Sequence, residues 1–177
     1  MFPQLQTKRL LLDQFRPEDQ GFVFKALSHP DVIIHYGVEY HTLEATKEQM
    51  NYFEDLYKQK VGIWWKILDK ERGEALGGIG MNNYQKQHNR AEIGYWLLPE
   101  YWGKGIVAEA LEAMVDYLFR EWGLHRLEAV VEAGNSNSSR VLERAGFTYE
   151  GTMRDFEIKK GKYISLLMFS LLATDKR

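Results

Sequence analysis

The stretch with the most direct chemical use is Trp102-Gly103-Lys104-Gly105-Ile106-Val107-Ala108. It stands where an apolar run over residues 93–98, closed by Pro99, gives way to helical spacing at Val107, Leu111, Met114 and Leu118. The first N–H groups of a helix have no partner in its own ladder, and the helix dipole favours negative charge at that end. With no side chains on Gly103 and Gly105, an anion such as phosphate can approach the backbone, and Lys104 adds a positive charge. The same residues also suit an ordinary glycine turn into a helix, and the pattern alone does not separate the two readings. Other reactive side chains offer less. The absence of cysteine removes disulfides, thiolate metal sites and cysteine nucleophiles. His29, His35, His41, His88 and His125 show no metal-ligand spacing, so no metal is expected. Lys159, Lys160 and Lys162 read as a solvated hairpin tip.

These residues need elements to hold them. A strand over residues 7–15 carries Leu10, Leu11 and Leu12, and Pro17-Glu18-Asp19 opens a helix that ends at His29-Pro30-Asp31. Residues 32–41 give no clear pattern. A second helix runs from Thr42 to about Lys60. Three strands follow over residues 62–69, 74–84 and 90–98, with Gly77, Gly78 and Gly80 predicting a bend or bulge in the second. A helix over 105–122, a strand over 125–133 and a short helix over 136–145 come next. Strands over 147–158 and 162–172 close the chain. Tight turns between the three middle strands predict an antiparallel meander, and the strand-helix-strand unit after them requires a crossover, so the sheet is mixed. Trp64, Trp65 and Trp96 read as core or groove packing.

Composition sets the class. With 177 residues, 45% hydrophobic and 27% charged, the chain reads as one folded domain over residues 1–177. A net charge of −2 predicts no nucleic-acid partner. The amino terminus lacks the apolar core of a signal peptide, and no apolar run approaches the roughly 18 residues of a membrane helix. A cytoplasmic, membrane-free protein is the expectation.

Four segments in order resemble the GNAT superfamily of N-acetyltransferases. Trp102-Gly103-Lys104-Gly105-Ile106-Val107 is similar to its Q/R-x-x-G-x-G/A motif, and Ala91-Glu92-Ile93-Gly94-Tyr95-Trp96-Leu97-Leu98 resembles its fourth strand. Asn135-Ser136-Asn137-Ser138-Ser139-Arg140-Val141-Leu142-Glu143-Arg144-Ala145-Gly146-Phe147 resembles N-x-x-S-x-R-V-L-E-K-x-G-F. Glu150-Gly151, Arg154, Gly161 and Tyr163 are similar to the closing hairpin of the ribosomal-protein N-terminal acetyltransferase (Rim-like) branch. The resemblance implies an α/β (α+β) fold: a mixed, mostly antiparallel, splayed sheet flanked by helices.

It also implies acetyl transfer from acetyl-CoA to a primary amine in a ternary complex, with a protein or peptide α-amine favoured over a small amine. The different-class rival is a domain that binds CoA without catalysis. Amides of Gly103, Lys104, Gly105, Ile106, Val107 and Ala108, beside Trp102, would cradle the diphosphate, and the backbone of Trp96, Leu97 and Leu98 would pair with the pantetheine arm. Asn135 offers that arm both an acceptor and donors. Arg140 and Arg144 are candidates for phosphate contacts or for a solvated helix face. Glu92 matches the position of a glutamate base, the alternative being a solvent-facing carboxylate, and a backbone N–H near Leu97 would face the oxyanion. Trp102 replaces the family's Gln or Arg, Val107 its Gly or Ala, and Ser165 an aspartate in the last strand. Leu142 stands where many relatives place the tyrosine that protonates the leaving thiolate. The resemblance therefore implies Ser138 as that acid, against a simpler role in the helix opening. A protein N-terminus, ribosomal or otherwise, is the expected partner, and a homodimer is left open.

Overall fold

The computed structural model describes residues 1–175. One eight-stranded sheet runs in the order β1-β2-β3-β4-β5-β6-β8-β7. In chain order its strands are β1 (Leu5–Gln6), β2 (Leu10–Gln14), β3 (Ile63–Asp69), β4 (Ala75–Gln85), β5 (Arg90–Leu97), β6 (Arg126–Glu132), β7 (Thr148–Lys159) and β8 (Lys162–Leu172). The helices are α1 (Gln20–Leu27), α2 (Pro30–Ile33), α3 (Lys47–Lys58), α4 (Ile106–Glu121) and α5 (Ser136–Arg144). Every neighbouring pair is antiparallel except β5 with β6. The mixed sheet follows from the crossover through α4, since parallel neighbours cannot be joined by a hairpin. The expected first strand is instead two, turned back on each other at Thr7–Arg9, where the Thr7 N–H donates to the Leu10 carbonyl at 3.0 Å. The unpatterned segment after residue 31 contains the short helix α2, and the second expected helix begins at Lys47.

Adjacent strand residues point to opposite faces, and β3 shows which helices cover which. Trp64 meets Phe53 of α3 at 5.4 Å between ring centroids, while Trp65 meets Tyr117 of α4 edge-on at 5.6 Å. Thus α1 and α3 cover one face, and α4 covers the other through Ala110, Leu111, Met114, Val115 and Leu118 at helical spacing. On the α1–α3 face the tryptophans lie on glycines. A Cβ on Gly80 would stand 2.4 Å from Trp64 Cγ, and one on Gly78 would stand 2.8 Å from Trp96 Cε2. The bulge expected at the β4 glycines is there: Ile67 pairs with Gly77 but Leu68 with Ala75, so the register with β3 shifts beside Gly77, and Gly78 and Gly80 make room for indoles besides. A second shift, with β5, lies further on between Asn82 and Gln85.

Where β6, β7 and β8 lie side by side, charges cross the strands. Arg126 of β6 grips Glu150 of β7 at 2.5 and 2.8 Å, and Ser170 of β8 donates to Glu150 at 2.6 Å. Arg126 also bonds Glu128 at 2.8 Å, which Arg90 of β5 holds at 2.8 Å through both oxygens. The Arg126 bond, then the Ser170 bond, lower the Glu150 carboxyl from its ordinary 4.5 to about 2. A carboxylate depressed on folding stabilises the fold fully above its unfolded value and ceases to do so as pH falls from about 4.5 through 2. The melting temperature of the parent should therefore fall more steeply between about pH 5 and 2.5 than that of Glu150→Gln. Parallel melting curves across that range would show that the network is not coupled to folding.

Candidate active site

β5 and β6 pair only at Arg90↔Arg126, Ala91↔Leu127 and Glu92↔Glu128. Beyond Glu92 the strands part, and an opening lies between residues 93–97 and 129–132. The Leu98 N–H bonds the Leu76 carbonyl of β4 at 3.0 Å. Alternation then turns the backbone groups of Leu97 and Tyr95 toward the opening and those of Trp96 and Leu98 away from it. Of the three residues expected to pair with an extended ligand through their backbone, Leu97 alone faces that way. Its carbonyl accepts from Trp102 Nε1 at 2.9 Å, leaving its N–H as the donor. The Trp96 side chain is buried on the α1–α3 face, against Phe15 and Phe22 at 6.1 and 5.5 Å.

At the end of the opening sits the glycine turn. Gly103 and Gly105 both take left-handed φ, 72° and 71°, a region costly for residues with a Cβ. The first helical bond of α4 runs from the Glu109 N–H to the Gly105 carbonyl at 3.1 Å, so the amides of Gly105, Ile106, Val107 and Ala108 precede the ladder. Ile106 and Val107 turn their side chains to the core, while Gly103, Lys104, Gly105 and Ala108 are exposed. Val107 thus leaves the concavity clear, and a Cβ at Gly103 would meet nothing within 4 Å. Such a concavity of amides fits a diphosphate. Lys104 hangs outside, its Nζ 5.5 Å above the Tyr101 ring.

Sequence reasoning missed the brace behind this turn. Arg9 donates through Nη1 to the Lys104 carbonyl at 3.1 Å, and its Nε meets Glu109 at 2.6 Å. Glu109 also accepts from Thr7 Oγ1 at 2.5 Å and from the Arg9 N–H at 2.8 Å. These four bonds tie the amino-terminal turn to the first turn of α4, a hundred residues away in sequence. The Lys8-Arg9 pair was visible but carried no sign of its partner.

Glu92 and Ser138 come to the two sides of the opening. Glu92 shares the face of Trp96 and accepts from Asn83 Nδ2 at 3.0 Å. Tyr36 and Tyr52 stand near it: burial first, then neighbouring charge including Glu92, raises both phenols. Ser138 sits in the first turn of α5 on the opposite face. Asn135 is the N-cap, its Oδ1 accepting from the Ser138 N–H at 3.2 Å, so that acceptor is already engaged. The Ser138 hydroxyl instead meets the Tyr95 hydroxyl at 2.6 Å. Arg140 is held by Asn137 at 2.8 Å on the exposed side of α5. Leu142 is fully buried. Ser165 Oγ accepts from the Asp155 N–H at 3.0 Å, fixing a residue of β7 whose φ is 48°. Lys159 is not a solvated tip residue: its Nζ bonds Glu132 at 2.8 Å and the Ile34 carbonyl at 2.7 Å, pinning the hairpin to the end of α2. Among the described residues, no group of three or more His, Cys, Asp or Glu side chains is placed to hold a metal ion, and no helix is long and apolar enough to cross a membrane.

Comparison with known proteins identifies the family. Residues 9–148 match the family model described as Acetyltransferase (GNAT) domain. The N-acetyltransferase YoaA of Bacillus subtilis is 35% identical over 173 residues, covering 97% of this chain and 98% of that one. The ribosomal-protein-serine acetyltransferase of Escherichia coli is 30% identical over 97 residues, 55% of this chain and 54% of its own. A solved structure of a ribosomal L7/L12 α-N-protein acetyltransferase in complex with coenzyme A superposes with a TM-score of 0.87 at 21% identity, over 96% of this chain and 98% of that chain. With its splayed mixed sheet and its glycine turn at the opening, this chain belongs to the GNAT acetyltransferases, enzymes that transfer an acetyl group from acetyl-CoA.

Proposed function

We propose that this chain acetylates a primary amine, namely a protein or peptide N-terminal α-amine, by direct attack in a ternary complex. The observation that carries the reading is the placement of Glu92 and Ser138 on opposite faces of the sheet beside one opening, with the glycine turn at its end. Acetyl-CoA supplies the acetyl group as a thioester. The amides of Gly103 to Ala108 hold its diphosphate, and the Leu97 N–H donates to the acetyl oxygen as charge builds there. An amine attacks only when neutral, so Glu92 takes its proton, directly or through one water. On the far face, the Ser138 hydroxyl donates toward the sulfur. The free NH2 of Asn135 remains for the pantetheine arm.

Two features favour a peptide over a small amine. The segment between α2 and α3 that brings Tyr36 to Glu92 also exposes Ile34, Val38 and Leu43, an apolar rim suited to an extended chain. The relative named above acts, by its name, on a ribosomal protein serine. Turnover of acetyl-CoA against N-terminal peptides, polyamines and free amino acids, read as thiol release, tests the reading. Peptides should be the fastest acceptors. Faster polyamine turnover would move the acceptor to small amines, and binding of acetyl-CoA without any turnover would leave a non-catalytic domain.

A further inference from the structure

Tyr95 precedes Trp96 on β5 and therefore faces α5, away from Glu92. Its hydroxyl stands 2.6 Å from Ser138 Oγ and 3.4 Å from the Ser138 carbonyl, so one phenol reaches across to the first turn of α5. We propose that Tyr95 is a positioning residue for acetyl transfer, its phenol donating to Ser138 Oγ so that the serine's own proton points at the departing sulfur. The proposal rests on the reading of Ser138 given above.

The direction of that bond decides the chemistry. A serine hydroxyl has one proton and two lone pairs. If Ser138 donated to Tyr95, no proton would remain for the sulfur. A phenol is much the more acidic of the two hydroxyls and hence the better donor, while the aliphatic oxygen is the better acceptor. The favoured arrangement therefore runs from the Tyr95 O–H to Ser138 Oγ, and from the Ser138 O–H into the opening. Donors in such a chain polarise one another, so the serine becomes a stronger donor than it would be alone. Its backbone is fixed already, because the Ser138 N–H is held by the Asn135 cap at 3.2 Å, and the phenol removes the remaining freedom of the hydroxyl. Burial raises the Tyr95 phenol to about 12, which keeps the proton on the oxygen throughout the neutral range. In the transfer step the C–N bond forms and the C–S bond breaks. The sulfur keeps the electron pair, the amine proton goes to Glu92, and the thiolate takes a proton from water. Tyr95 and Ser138 keep theirs.

A merely structural bond would tie α5 to the sheet and do nothing else. The two roles separate in a double-mutant cycle of Tyr95→Phe with Ser138→Ala, scored as turnover per folded molecule beside melting temperature and acetyl-CoA affinity. Tyr95→Phe keeps the ring and removes only the hydroxyl. Ser138→Ala alone should lower turnover by roughly 100-fold with melting and affinity nearly unchanged, and Tyr95→Phe alone by about tenfold. In the Ser138→Ala background, Tyr95→Phe should cost less than about twofold, because it acts through the serine. A deficit under about threefold in Ser138→Ala would overturn the reading of Ser138 itself and this proposal with it. A deep Ser138→Ala deficit beside a parent-like Tyr95→Phe would overturn the Tyr95 proposal alone. So would a Tyr95→Phe loss that persists undiminished in the double variant.

Discussion

Gly105→Asp is expected to weaken acetyl-CoA binding by roughly 100-fold or more while leaving the protein folded. Gly105 is the N-cap of α4 at φ 71°, so a side chain there costs about 1–2 kcal/mol of backbone strain. Aspartate is among the residues that bear this conformation best. Space is not the obstacle, since a Cβ at Gly105 would lie 3.6 Å from the Arg9 guanidinium, an ordinary contact. The effect comes from charge. A carboxylate at the mouth of a helix occupies the same donors that a phosphate would use, and repels the phosphate besides. Gly105→Ala carries similar strain without the charge and should lose much less affinity. Titration calorimetry on both variants, with melting curves alongside, separates the two effects. Unchanged affinity in a folded Gly105→Asp protein would remove the diphosphate from this turn.

Glu92→Gln should reduce turnover by roughly 100-fold with acetyl-CoA affinity intact. The substitution keeps length and shape, and a glutamine oxygen can still accept from Asn83 Nδ2, which Glu92 does now at 3.0 Å. What disappears is the ability to take a proton. The pH–rate profile should therefore lose its acid limb, since that limb reports the base of the free enzyme. A variant with the parent's rate and profile would hand the proton to bulk water or to another group.

Some of this was plain in the sequence because the physics is local. The glycine turn into α4 was legible because glycine is the residue that takes left-handed φ at least cost, whatever lies around it. The meander from β3 to β5 and the crossover through α4 follow from turn composition and spacing. Contacts between distant segments were not legible. Alternation along β5 shows that Tyr95 turns away from Glu92, but not that a serine 43 positions later meets it. Lys159 was expected in solvent because a hairpin tip of lysines usually is, and one of its acceptors, the Ile34 carbonyl, lies 125 residues earlier. The glycines of β4 predicted a bulge, which lies beside Gly77, but not their second use. Their missing side chains make room for indoles from β3 and β5, which no rule about β4 alone can show. Splitting of the first strand at Thr7–Arg9 has the same origin, for Glu109 collects Thr7 and Arg9 from another part of the fold.

The three-rung junction of β5 and β6 has a consequence for folding equilibria. Apart from the two-rung edge pair of β1 with β2, the sheet is laced by longer ladders, so the block from β1 to β5 and the block of β6, β8 and β7 meet at a short seam. A ligand with a peptide-like arm lying in that seam contributes rungs the chain itself lacks, and behaves as a borrowed strand. Mass action then couples cofactor supply to the integrity of the fold: at a free concentration of 100 times Kd, a ligand that binds only the native state adds about 2.7 kcal/mol. With acetyl-CoA seated there as proposed, the stability of this protein would follow the supply of its ligand, rising as the seam fills and falling back at each release of product.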